Sequence, residues 1–389
     1  MKMFCLKVDI TDISFIKKCI LKCIRNKKKK RRDIRRIQAE YGIEEWNEDS
    51  ITKLAQDLSE EIKNRKLILK PIYYKDKYDQ ASGKWRRIGI QDIKQQIFDY
   101  IVVEALLEGG ALARIGKFQF ASIPGRGQVS GAKQIYKWIH ESKATLYVLK
   151  ADVKQYYPSV PRDTLMNFLQ KRIMNEDLLW LIETLIYTFE SGLSVGSYLS
   201  QYLANLYMSI LYHDVEDNMF RIRNGKKKVR LVNWQAYYMD DVVFIGANKR
   251  NLMCAKERAD TVLENMGVRF KPTWKLYKLT DDSFIDMMGF RIYKNHITIR
   301  RGTFKKIRRA YLRYKRKPDS VTLARRVVSF YGSLKHSRSY QFCRRYDVYK
   351  LKHRARKEIS KHDASTLQQR TTELSDGNVQ RSNTCTAMS

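Results

Sequence analysis

The chain has 389 residues, 43 % of them hydrophobic and 12 % aromatic, enough to bury a core of two or three subdomains. Its 76 Lys and Arg outnumber 41 Asp and Glu, a formal net charge of +35 that points to a polyanion partner, nucleic acid before membrane. No apolar run reaches the roughly 18 residues a membrane span needs, so no membrane partner is expected.

At the N-terminus, Lys2, Lys7 and Asp9 interrupt any apolar stretch of signal-peptide type, so a cytoplasmic location is the expectation. Phe15 to Ile24 has helical apolar spacing, with Cys19 and Cys23 one turn apart. The other cysteines are scattered with no Cys/His pairs at ligand spacing, which argues against a zinc site or a disulfide framework. The basic run Lys27, Lys28, Lys29, Lys30, Arg31 and Arg32 reads as an arm that contacts RNA, or otherwise as a solvated segment. Ile51, Leu54, Ala55, Leu58 and Ile62 form a helical stripe capped at Ser50. Residues 1–64 are thus expected to be a basic helical extension.

A hairpin turn is expected at Gly83, followed by Arg86, Arg87 and Ile88, then Asp92, Ile93 and Gln95. Phe120, Ser122, Pro124, Gly125, Arg126 and Gly127 make a Gly/Pro-punctuated loop before a helix starting near Gly131. Tyr147 to Val153 is an apolar strand with one acid, Asp152, near its end, a place where a strand-end cap is equally at home. Helical spacing runs from Leu165 to Thr188, and Asn224-Gly225 reads as a basic turn. Gly192 to Gln201, with Ala204 and Asn205, reads as a loop and the helix behind it.

Ala236 to Phe244 places Asp240 and Asp241 between two short β-forming runs, the pattern of a tight hairpin with an acidic tip. A bare Asp-Asp is most often a surface turn. Adjacent carboxylates there repel one another, and a hard oxygen-seeking cation such as Mg²⁺ relieves the repulsion. From Arg301 to Glu358 the chain holds twenty Lys and Arg against three acids, with aromatics at Tyr311, Tyr314, Phe330, Tyr331, Tyr340, Phe342, Tyr346 and Tyr349. That composition suggests a basic helical element facing a duplex, with Lys305, Lys306, Arg308 and Arg309 as nucleic-acid contacts. Residues 359–389 turn to Ser, Thr, Gln and Asn and are expected to be a disordered tail.

In their order, these motifs resemble those of the reverse transcriptase family, from about Leu67 to Tyr349. Tyr238-Met239-Asp240-Asp241 resembles its catalytic turn, and Asp152, followed five positions later by Tyr157, resembles its first catalytic motif. The resemblance implies an α+β right-hand polymerase: fingers at 65–145, a palm with an antiparallel sheet at 146–298, and a helical thumb at 299–358. It implies two Mg²⁺ ions, or Mn²⁺ instead, held by Asp152, Asp240, Asp241 and the carbonyl of Val153. Arg86 and Arg87 would face the triphosphate and Arg126 the nucleic acid. Val195, Gly196 and Gln201 would line the nucleotide pocket, and Tyr157 would lie under the sugar and exclude a 2′-hydroxyl. Lys271 or Lys275 would be the palm lysine, and Met288-Gly289-Phe290 the primer-grip turn. The implied reaction joins dNTPs to the 3′-hydroxyl of a primer on an RNA template, such as a cognate structured noncoding RNA.

Val195-Gly196, with Ser200-Gln201 behind, stands where retroviral, retron and group II intron enzymes have Gln-Gly. This is similar to diversity-generating retroelement enzymes, and several defence-associated enzymes also depart from Gln-Gly. A bacterial or phage system, diversity-generating or anti-phage, is the expected setting. A maturase-like RNA-binding protein and a protein-primed or template-free DNA polymerase are the alternatives. An accessory protein or a second copy of the chain are further candidate partners.

Overall fold

The computed structural model describes residues 4–27, 31–79, 83–225 and 227–365. Within the basic run, Lys28, Lys29 and Lys30 lie outside the described residues, as do the side chains of Lys27, Arg31 and Arg32. The chain divides into two compact units, Met1–Gly131 with Glu141–Leu279, and Ala132–His140 with Thr280–Ser389.

The first unit opens with α1 (Ile13–Lys27), α2 (Arg31–Glu40) and α3 (Glu48–Lys63), then the hairpin β1 (Tyr73–Asp79) and β2 (Lys84–Ile90), and α4 (Ile93–Glu108). The cap of α3 is Asn47 rather than Ser50: Asn47 Oδ1 accepts the Ser50 amide and Ser50 Oγ accepts the Asn47 amide, a reciprocal box. α4 is the central beam, packed against α1, α8 and α9 and buried on every side, so its sequence has almost no polar face. Two of the charges it buries are answered in place, Lys94 by Glu61 at 2.6 Å and Glu104 by Lys22 at 2.5 Å.

Next come α5 (Gln128–Glu141), whose Ala132–His140 segment belongs to the second unit, then β3 (Leu146–Asp152), α6 (Tyr156–Ser159), α7 (Arg162–Gln170), α8 (Glu176–Tyr187) and α9 (Tyr198–Asp217). The helical spacing over 165–188 is divided between two helices. Phe4 donates to the Arg172 carbonyl and accepts from the Met174 amide, and Asn175 caps α8 by accepting the Leu178 amide. These bonds use the backbone groups a continuous helix would need.

After the hairpin β4 (Phe220–Arg223) and β5 (Lys227–Arg230), the chain forms β6 (Trp234–Tyr238), β7 (Asp241–Gly246), α10 (Lys249–Asn265) and β8 (Lys275–Leu279). The main sheet is antiparallel in the order β6-β7-β3-β8, with α10 packed on β3 and β7.

The second unit holds β9 (Ile285–Met287), β10 (Phe290–Ile292) and β11 (Ile297–Ile299), followed by α11 (Arg301–Arg316), α12 (Val321–Lys335) and α13 (Tyr340–Arg345). Met288 and Gly289 join β9 to β10, both with positive φ, the I′ pattern that suits a two-residue hairpin. α11 buries Ile307, Ala310, Tyr311 and Tyr314 at helical spacing and leaves Lys305, Arg308 and Arg309 exposed. Tyr311, Tyr314 and Phe342 are therefore core, not duplex-facing rings; Phe342 sits among Phe304, Tyr311 and Tyr346. A last helix spans residues 348–365, so the expected tail is helical over its first residues, and 366–389 lie outside the described residues.

Gly116 is held against Tyr212, which is buried and packs on Tyr237 of β6 at 5.6 Å between ring centroids. A Cβ at Gly116 would lie 2.2 Å from the Tyr212 ring. Gly116→Ala should therefore cost about 1–3 kcal/mol, read as a lower urea midpoint at unchanged m-value. Gly302, a helical glycine with nothing within 4 Å of its Cβ position, is the control. Gly302→Ala should be neutral or stabilising by up to about 1 kcal/mol. Equal midpoints for the two variants would contradict this account.

Candidate active site

The turn between β6 and β7 has two central residues, Met239 and Asp240, with Tyr238 paired to Asp241. Only Met239 of the two has positive φ, +55°, the φ pattern of a II′ turn that ordinarily goes to glycine. Its neighbours hold it there: the Asp240 carbonyl accepts the Val153 amide at 2.9 Å, while the Asp152 carbonyl accepts the Lys271 amide at 2.7 Å. Across β3 and β7, Asp152 stands directly opposite Asp241, so their side chains share one face of the sheet. The structure thus brings Asp152, Val153, Asp240, Asp241 and Lys271 to one end of the sheet.

Burial is the main force on the acids. It raises the pKa of Asp240, against Lys271, whose positive charge pulls it back down, and with Asp152 adding repulsion. It pushes Asp241 up to about 6, against Lys150. Lys150 Nζ lies 2.9 Å from Asp241 Oδ1 and 3.1 Å from Oδ2, the latter as a hydrogen bond. Oδ1 itself is buried and accepts no hydrogen bond. Lys271 Nζ stands 3.7 Å from Asp152 Oδ1. Among the described residues no three Asp, Glu, His or Cys side chains close tightly enough to enclose an ion. Two lysines stand among the acids instead. The donor set still suits a hard divalent cation: carboxylates from two strands and a turn.

Around this edge lie the pocket residues. Tyr157 follows Asp152 by way of Gln155, another non-glycine residue with positive φ (+44°), and its hydroxyl donates to Met239 Sδ at 3.6 Å. Gly89 of β2 donates to the Val195 carbonyl at 2.9 Å. Gly196 has φ +117°, and a Cβ there would lie 2.7 Å from the Gly89 carbonyl oxygen. Only a glycine pair allows this close approach of strand and loop. Gln201 is partly buried one turn into α9.

Three expected residues go elsewhere. Arg86 and Arg87 alternate along β2 and so face opposite ways. Arg86 lies close enough to Asp240 to lower its pKa, whereas Arg87 is tied to Glu190 at 2.7 Å and stacks on Tyr74. Arg126 donates to the carbonyls of Gly116 (2.6 Å) and Gln119 (3.2 Å), which makes it a clamp on its own loop. Lys275 is exposed on β8, opposite Lys150 in the backbone register, and it is Lys271 that reaches the acids. Lys305, Lys306, Arg308 and Arg309 belong to the second unit. Two residues escaped the sequence reading. Lys150 was legible, since it precedes Asp152 by two in a strand and must share its face. Asp99, inside α4, carried no local signal.

No curated protein sequence matches the chain significantly. Among 390 solved chains that match it is apo telomerase from Candida tropicalis truncated from its C-terminal domain. The TM-score is 0.43 and the identity 14 %, and the match covers 64 % of this chain and 60 % of that one. The chain thus spans about three fifths of the telomerase chain it matches. Residues 73–292, more than half of the sequence, match the model of the reverse transcriptase (RNA-dependent DNA polymerase) family. The chain, with its α+β fold and antiparallel sheets, belongs to the reverse transcriptase family of nucleotidyltransferases.

Proposed function

We propose that the chain is an RNA-directed DNA polymerase that joins dNTPs to the 3′-hydroxyl of a primer annealed to RNA. The observation that carries the reading is Asp152 opposed to Asp241 across β3 and β7, with Asp240 at the adjoining turn. Reverse transcriptase domains generally use divalent metal ions. Asp152 and Asp240, with Asp241 and the Val153 carbonyl beside them, would hold two Mg²⁺ ions. When bound, the ions lower the pKa of the attacking hydroxyl and neutralise the leaving pyrophosphate.

The remaining work falls to side chains. Arg86, exposed on β2 and near Asp240, balances triphosphate charge as it builds. Lys271, held beside Asp152, is placed to give a proton to the leaving group. Tyr157 offers its ring to the sugar from beneath Met239. Lys150 compensates Asp241, whose carboxylate is the more enclosed beside Asp152. Val195 gives the nucleotide an apolar contact where relatives have an amide, which loosens discrimination and suits a diversity-generating or an anti-phage setting. A structured RNA, exposed to the basic face of α11, is the proposed template.

The acids can be tested one at a time. Asp240→Asn should lower Mg²⁺-dependent dNTP incorporation on a primed RNA template at least about a hundredfold. Because burial raises the folded pKa of Asp240, the ionised acid costs stability as pH rises through that value. The neutral isostere escapes that cost, so the melting temperature in chelator should be equal or higher. Retained incorporation, or a lower melting temperature, contradicts the assignment.

Tyr157→Val opens space under the sugar. The efficiency of rNTP relative to dNTP use should rise roughly tenfold, about 1.4 kcal/mol of discrimination. An unchanged ratio in single-nucleotide kinetics assigns the gate elsewhere.

Lys150→Met removes a positive charge next to Asp241, so divalent ions should bind more tightly. At pH 8, Mn²⁺ titrated without nucleotide and followed by electron paramagnetic resonance should half-saturate at a concentration about threefold to tenfold lower. Weaker binding would mean that Lys150 orients Asp241 rather than competing with the ion.

A further inference from the structure

Asp99 lies in α4, and no part of it reaches solvent. Its Oδ2 accepts Ser197 Oγ at 2.8 Å and the backbone amides of Tyr198 (3.1 Å) and Leu199 (3.3 Å). Its Oδ1 accepts Gln91 Nε2 at 3.2 Å. None of these four donors is a charged side chain. Burial pushes its pKa up to about 6 against the pull of those bonds, so near neutral pH the group is largely ionised. A buried carboxylate balanced only by neutral donors is costly to desolvate, and it is kept in place by the donors it satisfies. Its partners indicate what it does.

Ser197 is the N-cap of α9, and Tyr198 and Leu199 form its first turn, so one carboxylate fixes where the helix starts. The loop Ser194–Gly196 enters that turn directly. Gln91 follows β2, the strand that carries Arg86 and Gly89. On the other side of the loop, Gly89 bonds the Val195 carbonyl and leaves no room for a Cβ at Gly196. A Cβ at Gly89 would in turn lie 2.3 Å from Ser194 Oγ. Loop and strand therefore meet backbone to backbone at Gly89 and Gly196, with the Ser194 and Ile88 side chains alongside. Asp99 holds both partners of that contact from behind.

We propose that Asp99 is a positioning residue of the nucleotide site, which locks the Val195 loop in register with the Arg86 strand. It touches no substrate and acts through Ser197, the first turn of α9 and Gln91. The inference rests on the polymerase reading for what the loop faces.

The test uses the full chain with Asp99→Asn, Asp99→Leu and Ser197→Ala. Amide hydrogen exchange at Tyr198 and Leu199 should quicken roughly tenfold in the Asp99 variants. On a primed RNA template their KM for dNTP should rise roughly tenfold with kcat within about twofold. Ser197→Ala, which removes one donor and spares the carboxylate, should raise KM about threefold. Asp99→Leu leaves Ser197 Oγ, two amides and Gln91 Nε2 without their acceptor and should lower the urea midpoint. Asp99→Asn, which keeps an acceptor oxygen, should hold its midpoint closer to wild type, so that its KM change separates positioning from support of the fold. Unchanged exchange overturns the latch. Quickened exchange with unchanged KM overturns the positioning role while leaving the polymerase reading intact. A wild-type chain that incorporates no nucleotide overturns the polymerase reading itself, and the role of Asp99 with it.

Discussion

The pairing of Asp152 with Asp241 across β3 and β7 forces two carboxylates onto one face, next to a third at the hairpin tip. Charges about 4 Å apart near a protein surface interact with several kcal/mol, and here the interaction is repulsive. Burial adds to it, because Asp240 and Asp241 are both driven toward their neutral forms. Lys150 and Lys271 answer part of this from within the chain. The rest is borne by the sheet. Val242 to Ile245 are fully buried, and β7 is bonded on both sides, so the acids cannot move apart without breaking the core. The scaffold is rigid where the chemistry needs charge held against its own repulsion.

The same constraint explains where the backbone is strained. Met239 and Gln155 both take positive φ without being glycine, and they flank the acids in sequence. Met239 turns the hairpin so that Asp241 pairs with Tyr238 across only two residues. Gln155 turns the chain after β3 so that Tyr157 comes back beneath Met239. A longer, relaxed turn at either place would let the ring and the acids drift independently. The close meeting of Gly89 and Gly196 follows the same logic with opposite means: there the side chains are removed so that two backbones can approach.

Much of the site was readable because its elements are local. A strand that ends in an acid, an acidic hairpin tip and a Gly-Phe turn all announce themselves within nine residues. The strand period alone also assigns Lys150 to the face of Asp152, and splits Arg86 from Arg87. Long-range partners were not readable. Glu190 lies 103 residues from Arg87, and Asp99 lies 98 from Ser197, and nothing near either residue signals its partner. The break at Lys171 to Asn175 was hidden for the same reason, since the bonds that cause it come from Phe4 and Val8 at the other end of the unit. The aromatics of α11 and α13 misled in another way. Tyrosine between basic residues suits a stacking surface and a core equally, and only the helical phase separates them.

That phase also corrects what the net charge of +35 means. A cation already bonded within the protein gains little from a phosphate, because one partner is exchanged for another. Arg87 on Glu190, Arg126 on two carbonyls, Lys94 on Glu61 and Lys22 on Glu104 are committed in this way. Others serve the acids: Lys150 and Lys271 would lose more by leaving a carboxylate than a distant phosphate returns. On α11 the hydrophobic stripe turns Tyr311 and Tyr314 inward and leaves Lys305, Arg308 and Arg309 in water. Hydrated cations on one helix face are those whose counterions a polyanion displaces on binding, and each such contact adds to the salt dependence of affinity. The sequence total therefore overstates the grip on nucleic acid. The measure that matters is how many cations the fold leaves unspent on a single face.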